Sequence, residues 1–136
     1  MAIDFSGRWY NQHGSTMDLQ VDSRGRVTGT YRTKVGTPKP SAEFELVGFV
    51  AGDLIAFTVN FGDHGTLTSW TGQHTENERG EGEIRTLWHL ARNIPDSDEP
   101  AKLWSGLWSG CDIFRRAEPS TAESERVRTL PSHPLD

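Results

Sequence analysis

The chain has 136 residues, a net charge of −5 and a hydrophobic content of 34%, which fits a single domain with a modest core. An acidic chain without a Lys/Arg cluster argues against nucleic acid as a partner, and no apolar run approaches the roughly 20 residues of a membrane-spanning helix. A single cysteine, Cys111, excludes a disulfide within the chain, so packing, hydrogen bonds or subunit contacts must stabilise the fold.

Short runs of alternating apolar and polar residues recur along the chain, separated by Gly, Asp, Asn and Pro, and they indicate β-strands. In one of these runs Met17, Leu19 and Val21 fall on the same side. A turn is predicted at 75–82 and a long acidic loop at 92–102, with no amphipathic helix. In chain order, the predicted strands are 8–11, 16–22, 26–33, 43–50, 54–61, 66–73, 83–91 and 107–116.

Short, hairpin-like connections between these strands predict an all-β fold, an eight-stranded antiparallel up-and-down β-barrel, over residues 1–117. Closure into a barrel removes the exposed sheet edges, and a barrel of this size can hold one small ligand. Residues 118–136 are rich in Ser, Thr, Pro and Glu and are predicted to form a disordered tail. The alternative is that residues 130–135 dock into a groove or against a neighbouring subunit.

Polar residues on several predicted strands suggest a site inside this barrel. Asn11 and Ser15 flank a glycine turn and, taken alone, are typical turn residues. Asp112 shares strand parity with Phe114 and therefore points inward, where a carboxylate is costly unless it is paired. A ligand donor is one explanation for Asp112; a salt bridge or exposure at the strand end is the other.

Other features of the sequence argue against an enzyme. The five histidines show no metal-ligand spacing. Residues 106–110 resemble a nucleophile elbow, but their serine lies one place too late. We therefore predict a non-catalytic binding protein without a metal or a cofactor.

Six short motifs in fixed order carry a family resemblance: residues 9–16 (WYNQHGST), 28–31 (TGTY), 35–36 (VG), 68–72 (TSWTG), 86–88 (TLW) and 110–114 (GCDIF). In these motifs the chain resembles the avidin/streptavidin family of biotin-binding proteins, over about residues 4–116. The resemblance implies an avidin-like barrel that binds biotin in its open end. Its Asn11, Ser15 and Tyr31 would donate hydrogen bonds to the ureido oxygen, while Asp112 and Thr33 would accept from the ureido nitrogens.

The resemblance also implies roles for the rest of the site. A loop would close over the ligand carboxylate, a threonine would lie near the sulfur, aromatic and leucine side chains would form the walls, and one tryptophan would come from a neighbouring subunit. The loop residues are Val35, Gly36 and Thr37, and Thr66 would also contact the carboxylate. Thr68 would lie near the sulfur, and the tryptophan from the neighbouring subunit would be Trp104. The walls would be formed by Phe61, Trp70, Trp88 and Leu90.

Two tryptophans, Trp9 and Trp108, are predicted to lie in the core, whereas Leu87 and Cys111 fall on outward positions. Cys111 is either an inert thiol or pairs with its copy in a partner subunit. His13, between Asn11 and Ser15, occupies a position at which the well-known family members have an aliphatic residue.

The resemblance implies a homotetramer, a dimer of dimers, because tetrameric members keep the tryptophan at position 104. It also implies a secreted protein, extracellular or periplasmic, although no signal peptide is predicted in this chain. Two alternatives stay open. One is a lipocalin-type carrier barrel for another small molecule, and the other is a self-associating module whose pocket holds its own tail.

Overall fold

The computed structural model describes residues 3–33 and 42–120. Over these residues the chain forms a closed antiparallel barrel in which each strand pairs with its neighbours in sequence and the last strand returns to the first. The predicted fold class is therefore confirmed. The strands are β1 Gly7–Tyr10, β2 Thr16–Val21, β3 Arg26–Arg32, β4 Phe44–Ala51, β5 Leu54–Phe61, β6 Thr66–Glu76, β7 Gly82–Arg92 and β8 Leu107–Arg115.

Two connections differ from the sequence prediction. The turn predicted at 75–82 is shorter, because β6 continues to Glu76 and β7 begins at Gly82. The loop predicted at 92–102 contains a short helix, α1 (Glu99–Lys102), followed by a 3-10 turn (Leu103–Gly106). Four residues are too few to produce a helical hydrophobic period, so the pattern could not reveal α1. Among the described residues, no helix has the length and hydropathy to span a bilayer.

Alternation along the strands fills the barrel with apolar side chains. Trp9 is buried, and its indole Nε1 donates to the carbonyl oxygen of Phe5 at 2.9 Å, as expected for a structural tryptophan. Leu87 is exposed, and so is Cys111, in agreement with their outward positions. The prediction for Trp108 was wrong: its side chain is 45% exposed, because it lies at the very start of β8, where the barrel ends.

The seam between β1 and β8 has the shortest strand pairing in the barrel, since the two strands share a single register pair, Tyr10 with Arg115. Arg116 reinforces this seam from the residue after β8. Its guanidinium lies 3.8 Å from the centre of the Trp9 ring. It also donates hydrogen bonds to three carbonyl oxygens of the N-terminal segment, those of Asp4, Ser6 and Arg8.

A buried carboxylate joins β7 to β8 beside this seam. Glu83 contacts the Nε of Arg85 at 2.8 Å and the Nε of Arg115 at 3.1 Å. Burial alone would raise the pKa of Glu83, but hydrogen bonds from the two arginines outweigh that effect and lower the pKa. The ionised triad therefore adds a side-chain link between β7 and β8 at Arg115, the residue that also pairs with β1.

We expect Arg116→Met to destabilise the barrel by about 2 kcal/mol, because the variant leaves three carbonyl groups without a charged donor and removes the cation from Trp9. Thermal unfolding followed by circular dichroism would measure this loss as a fall of several degrees in Tm. Arg24→Met, at an exposed turn position, is the matched control and should leave Tm within about 1 °C. Equal Tm values for the two variants would contradict a role for Arg116 in closing the seam.

Candidate functional site

Five of the predicted polar site residues are buried inside the barrel, and they belong to three parts of the chain. Each of them has at most 1% of its surface exposed: Asn11, Ser15, Tyr31, Thr33 and Asp112. The amide Nδ2 of Asn11 lies 3.3 Å from the Tyr31 hydroxyl, so the β1–β2 turn and β3 meet at this point. Residues far apart in sequence thus form one buried polar cluster.

The β1–β2 turn fixes the direction of the Asn11 side chain. Its Oδ1 accepts the backbone N–H groups of His13 and Ser15, each at 3.0 Å. Gly14 makes this turn possible because its φ is +85°, a conformation that other residues adopt only at a steric cost. With its oxygen engaged in the turn, the Asn11 side chain presents its NH₂ group to Tyr31. His13 is carried on the same turn and is 2% exposed.

The Asp112 carboxylate is held by two N–H donors. Its Oδ2 accepts from the indole Nε1 of Trp70 at 2.9 Å, and its Oδ1 accepts from the Nε2 of Gln12 at 2.8 Å. Gln12 also accepts the backbone N–H of Ile113 at 3.0 Å, which ties the β1–β2 turn to β8. Because Asp112 is 1% exposed, the explanation by exposure at the strand end was wrong.

Sequence reasoning missed Gln12. Its neighbours Asn11 and Ser15 were assigned by family resemblance, and the pattern offered only one signal for Gln12, its position within the same turn. Its contact with Asp112 spans 100 residues of sequence, so only the closed barrel reveals it.

Aromatic side chains form the apolar wall next to the polar cluster. The Tyr31 ring lies 5.2 Å from Trp70 and 5.9 Å from Phe61, measured between ring centres. Phe57 stacks on Trp70, with ring centres 5.1 Å apart and an interplanar angle of 13°. Phe44 packs on Phe61 at 4.7 Å. Phe57 and Phe44 contact the predicted wall residues, although the sequence prediction did not place either of them in the wall.

Gly110 provides the space that Trp88 occupies. The β7–β8 register places the two residues opposite each other on the inner face. A Cβ atom at position 110 would lie 2.3 Å from Cζ2 of Trp88, far inside contact distance. The glycine of the motif GCDIF therefore allows an indole to lie flat against β8, and Trp88 is 1% exposed as a result.

Three inward-facing threonines complete the predicted set among the described residues. Thr33, Thr66 and Thr68 are 1%, 7% and 1% exposed. The hydroxyl groups of Thr33 and Thr66 are buried without a hydrogen-bond partner in the described part of the chain. Leaving a buried hydroxyl unsatisfied costs about 1–3 kcal/mol, so such groups call for a bound partner.

The remaining predicted residues are placed differently. Val35, Gly36 and Thr37 lie outside the described residues. Trp104 does not join the cluster, since it is 81% exposed on the 3-10 turn that precedes β8. No group of three or more His, Cys, Asp or Glu side chains in the described ranges is arranged to hold a metal ion.

Comparison with known proteins agrees with this geometry. A sequence model of the avidin family matches residues 1–117. Avidin from Gallus gallus is 32% identical over 119 residues, covering 82% of this chain and 76% of that protein. The crystal structure of Xenavidin superposes with a TM-score of 0.73 at 29% identity and covers 86% of this chain and 100% of its own. The structure of a rhizavidin–biotin complex gives a TM-score of 0.66 at 37% identity, with 81% and 97% covered. The chain therefore belongs to the avidin family.

Proposed function

We propose that this protein binds biotin, without catalysis, inside its barrel, residues 1–117. The observation that carries the proposal is the set of buried polar residues Asn11, Tyr31 and Asp112, in a barrel that also contains two buried threonine hydroxyls without partners among the described residues, those of Thr33 and Thr66. Family membership and the rhizavidin–biotin neighbour support the choice of ligand. The tail beyond residue 117 takes no part in binding in this proposal.

In the proposed complex the ureido ring of biotin lies at the deep end of the site. Asn11, Ser15 and Tyr31 donate hydrogen bonds to its carbonyl oxygen. Tyr31 can accept from Asn11 and still donate its own hydroxyl proton, because a phenol has both capacities. Asp112 and Thr33 accept from the two ureido N–H groups. Burial makes these hydrogen bonds stronger than they would be in water.

The remaining part of biotin lies among the walls and toward the outer end. Thr68 lies near the sulfur, and Thr66, with Val35, Gly36 and Thr37, holds the carboxylate. The walls are those predicted from the resemblance, Phe61, Trp70, Trp88 and Leu90. A lipocalin-type carrier is the less favoured function. An apolar ligand would form no hydrogen bonds with a buried carboxylate, an amide and several hydroxyl groups.

Biotin in excess should raise Tm, because a ligand that binds only the native state stabilises it, by about 2.7 kcal/mol at a concentration of 100 times Kd. Asp112→Ala and Tyr31→Phe should each reduce this increase. Since Asp112→Ala also removes the partner of Trp70, each variant is compared with its own ligand-free melt. Asp53→Ala changes an exposed carboxylate in the β4–β5 turn and should keep the full increase.

An unchanged Tm of the wild-type protein at saturating biotin would refute the proposed function. A full increase in both site variants would refute only the assignment of the site.

We also propose a homotetramer, built as a dimer of dimers, which acts outside the cell or in the periplasm as a secreted protein. Its support is the family and a set of large apolar side chains that are about half exposed or more on the outer face of β4 to β7. That set is Val47, Phe49, Leu54, Leu67 and Leu87. Exposed apolar patches of this kind mark protein contacts. In this assembly Trp104 reaches into the site of a neighbouring subunit.

Trp104→Lys should lower the molar mass measured by light scattering and speed biotin dissociation, because a charge replaces the ring at a subunit contact. Glu99→Lys introduces a positive charge at another exposed position of the same connection and should leave both quantities unchanged. If Trp104→Lys retains the wild-type mass and dissociation rate, Trp104 does not take part in assembly or in the neighbouring site.

A further inference from the structure

Three adjacent rungs on the inner face of β6, β7 and β8 run from Asp112 to the start of β8. The register joins Gly72 to Thr86 and Thr86 to Asp112 in the innermost of these three, beyond which His74, Ile84 and Phe114 form a further rung. The middle rung joins Trp70 to Trp88 and Trp88 to Gly110, and the outer rung joins Thr68 to Leu90 and Leu90 to Trp108. All three positions of a rung share one face, since side chains opposite each other in a sheet point the same way.

Trp108 therefore occupies an inward position of the site and not a core position. Its two rung neighbours are almost fully buried, with Thr68 at 1% and Leu90 at 3% exposed. Trp108 is 45% exposed in the same rung. Directly opposed residues have Cβ atoms about 5 Å apart, so the Trp108 ring begins within contact distance of the Leu90 side chain.

The turn before β8 holds this ring in place. The indole Nε1 of Trp108 donates to the carbonyl oxygen of Ser105 at 3.0 Å. Ser105 in turn donates its hydroxyl to the carbonyl oxygen of Lys102 at 2.6 Å, which links the turn to the end of α1. The polar atom of the indole is thus satisfied within the chain, so packing of a ligand on the ring would leave no donor of Trp108 unsatisfied.

We propose that Trp108 is the outer wall of the ligand site, contributed by the same chain, and that it packs on the carboxyalkyl chain of the ligand. This inference rests on the proposed function for the identity of the ligand. Trp108 completes the rung of Thr68 and Leu90. The carboxyalkyl chain of a ligand that packs against those two residues would therefore lie beside the indole at the end of the barrel. The deep polar cluster recognises the ureido ring, and Trp108 makes the site selective for a ring that carries an apolar chain.

The role differs from the one proposed for Trp104. The Trp104 side chain is 81% exposed on the preceding turn and serves a neighbouring subunit, whereas Trp108 belongs to the barrel that it covers. A change at Trp108 should therefore alter ligand dissociation without altering the molar mass of the assembly.

The test uses the full chain and two ligands, biotin and its bicyclic ring system without the carboxyalkyl chain. Trp108→Leu should speed biotin dissociation about tenfold, the factor that corresponds to about 1.4 kcal/mol of binding free energy. Affinity for the truncated ligand should stay within about twofold. Trp108→Phe keeps an aromatic wall and should restore most of the slow dissociation, while Ser109→Ala, exposed on the outer face of β8, should match the wild type.

Two results would overturn the inference alone: wild-type dissociation of biotin from Trp108→Leu, or an equal loss of affinity for both ligands. A lower mass of Trp108→Leu in light scattering would also overturn it, since the residue would then act through assembly. If the wild-type protein binds neither ligand, the proposed function fails and this inference fails with it.

Discussion

Burial of the Asp112 carboxylate is the constraint on which the site depends. An inward charge in a small barrel is strongly unfavourable unless donors replace the water that it loses. Trp70 and Gln12 supply two such donors, one from β6 and one from the β1–β2 turn. The hydrogen bonds that make Asp112 tolerable thereby fix the position of an aromatic wall and of the turn that carries Asn11. The acceptor, the wall and the donors are parts of one network.

This network requires that the barrel be closed, because Gln12 reaches Asp112 only when the turn after β1 lies against β8. The direct backbone link between these strands is a single register pair. Arg116, stacked on Trp9, reinforces that junction, and the buried Glu83 carboxylate holds Arg115, the β8 residue of this register pair. Side chains at the seam thus support polar groups in the interior, although they do not belong to the site.

Much of the fold and part of the site could be predicted from the sequence, because strand alternation determines which residues point inward. Alternation placed Asp112 inside and Leu87 outside, and both positions agree with the structure. Alternation does not tell where along a strand the barrel ends. Trp108 has the parity of a core residue, yet it is 45% exposed although the residues of its rung, Thr68 and Leu90, are buried.

Long-range contacts were the other part that sequence reasoning could not reach. Gln12 contributes through a partner 100 residues away, and Phe57 through the face of Trp70, so neither has a local signature. The family resemblance supplied Asn11 and Tyr31 because those residues belong to continuous motifs. Residues that support a site from behind are chosen by packing, and packing is specified only when distant strands meet.

In the proposed complex, the three rungs of β6, β7 and β8 divide the contacts with the ligand into hydrogen bonds at one end and apolar packing at the other. In the proposed complex, hydrogen bonds to Asp112 in the innermost of the three rungs are directional and tolerate little displacement, so they select a functional group. The aromatic and aliphatic side chains of the upper rungs act through contact area, which is proportional to the apolar surface that a ligand covers. A half-exposed tryptophan at the end of this series extends the apolar area without adding a polar requirement. In the proposed complex, the end of the site at Asp112 determines which ligand binds, and the rung of Trp108 determines how long the ligand stays bound.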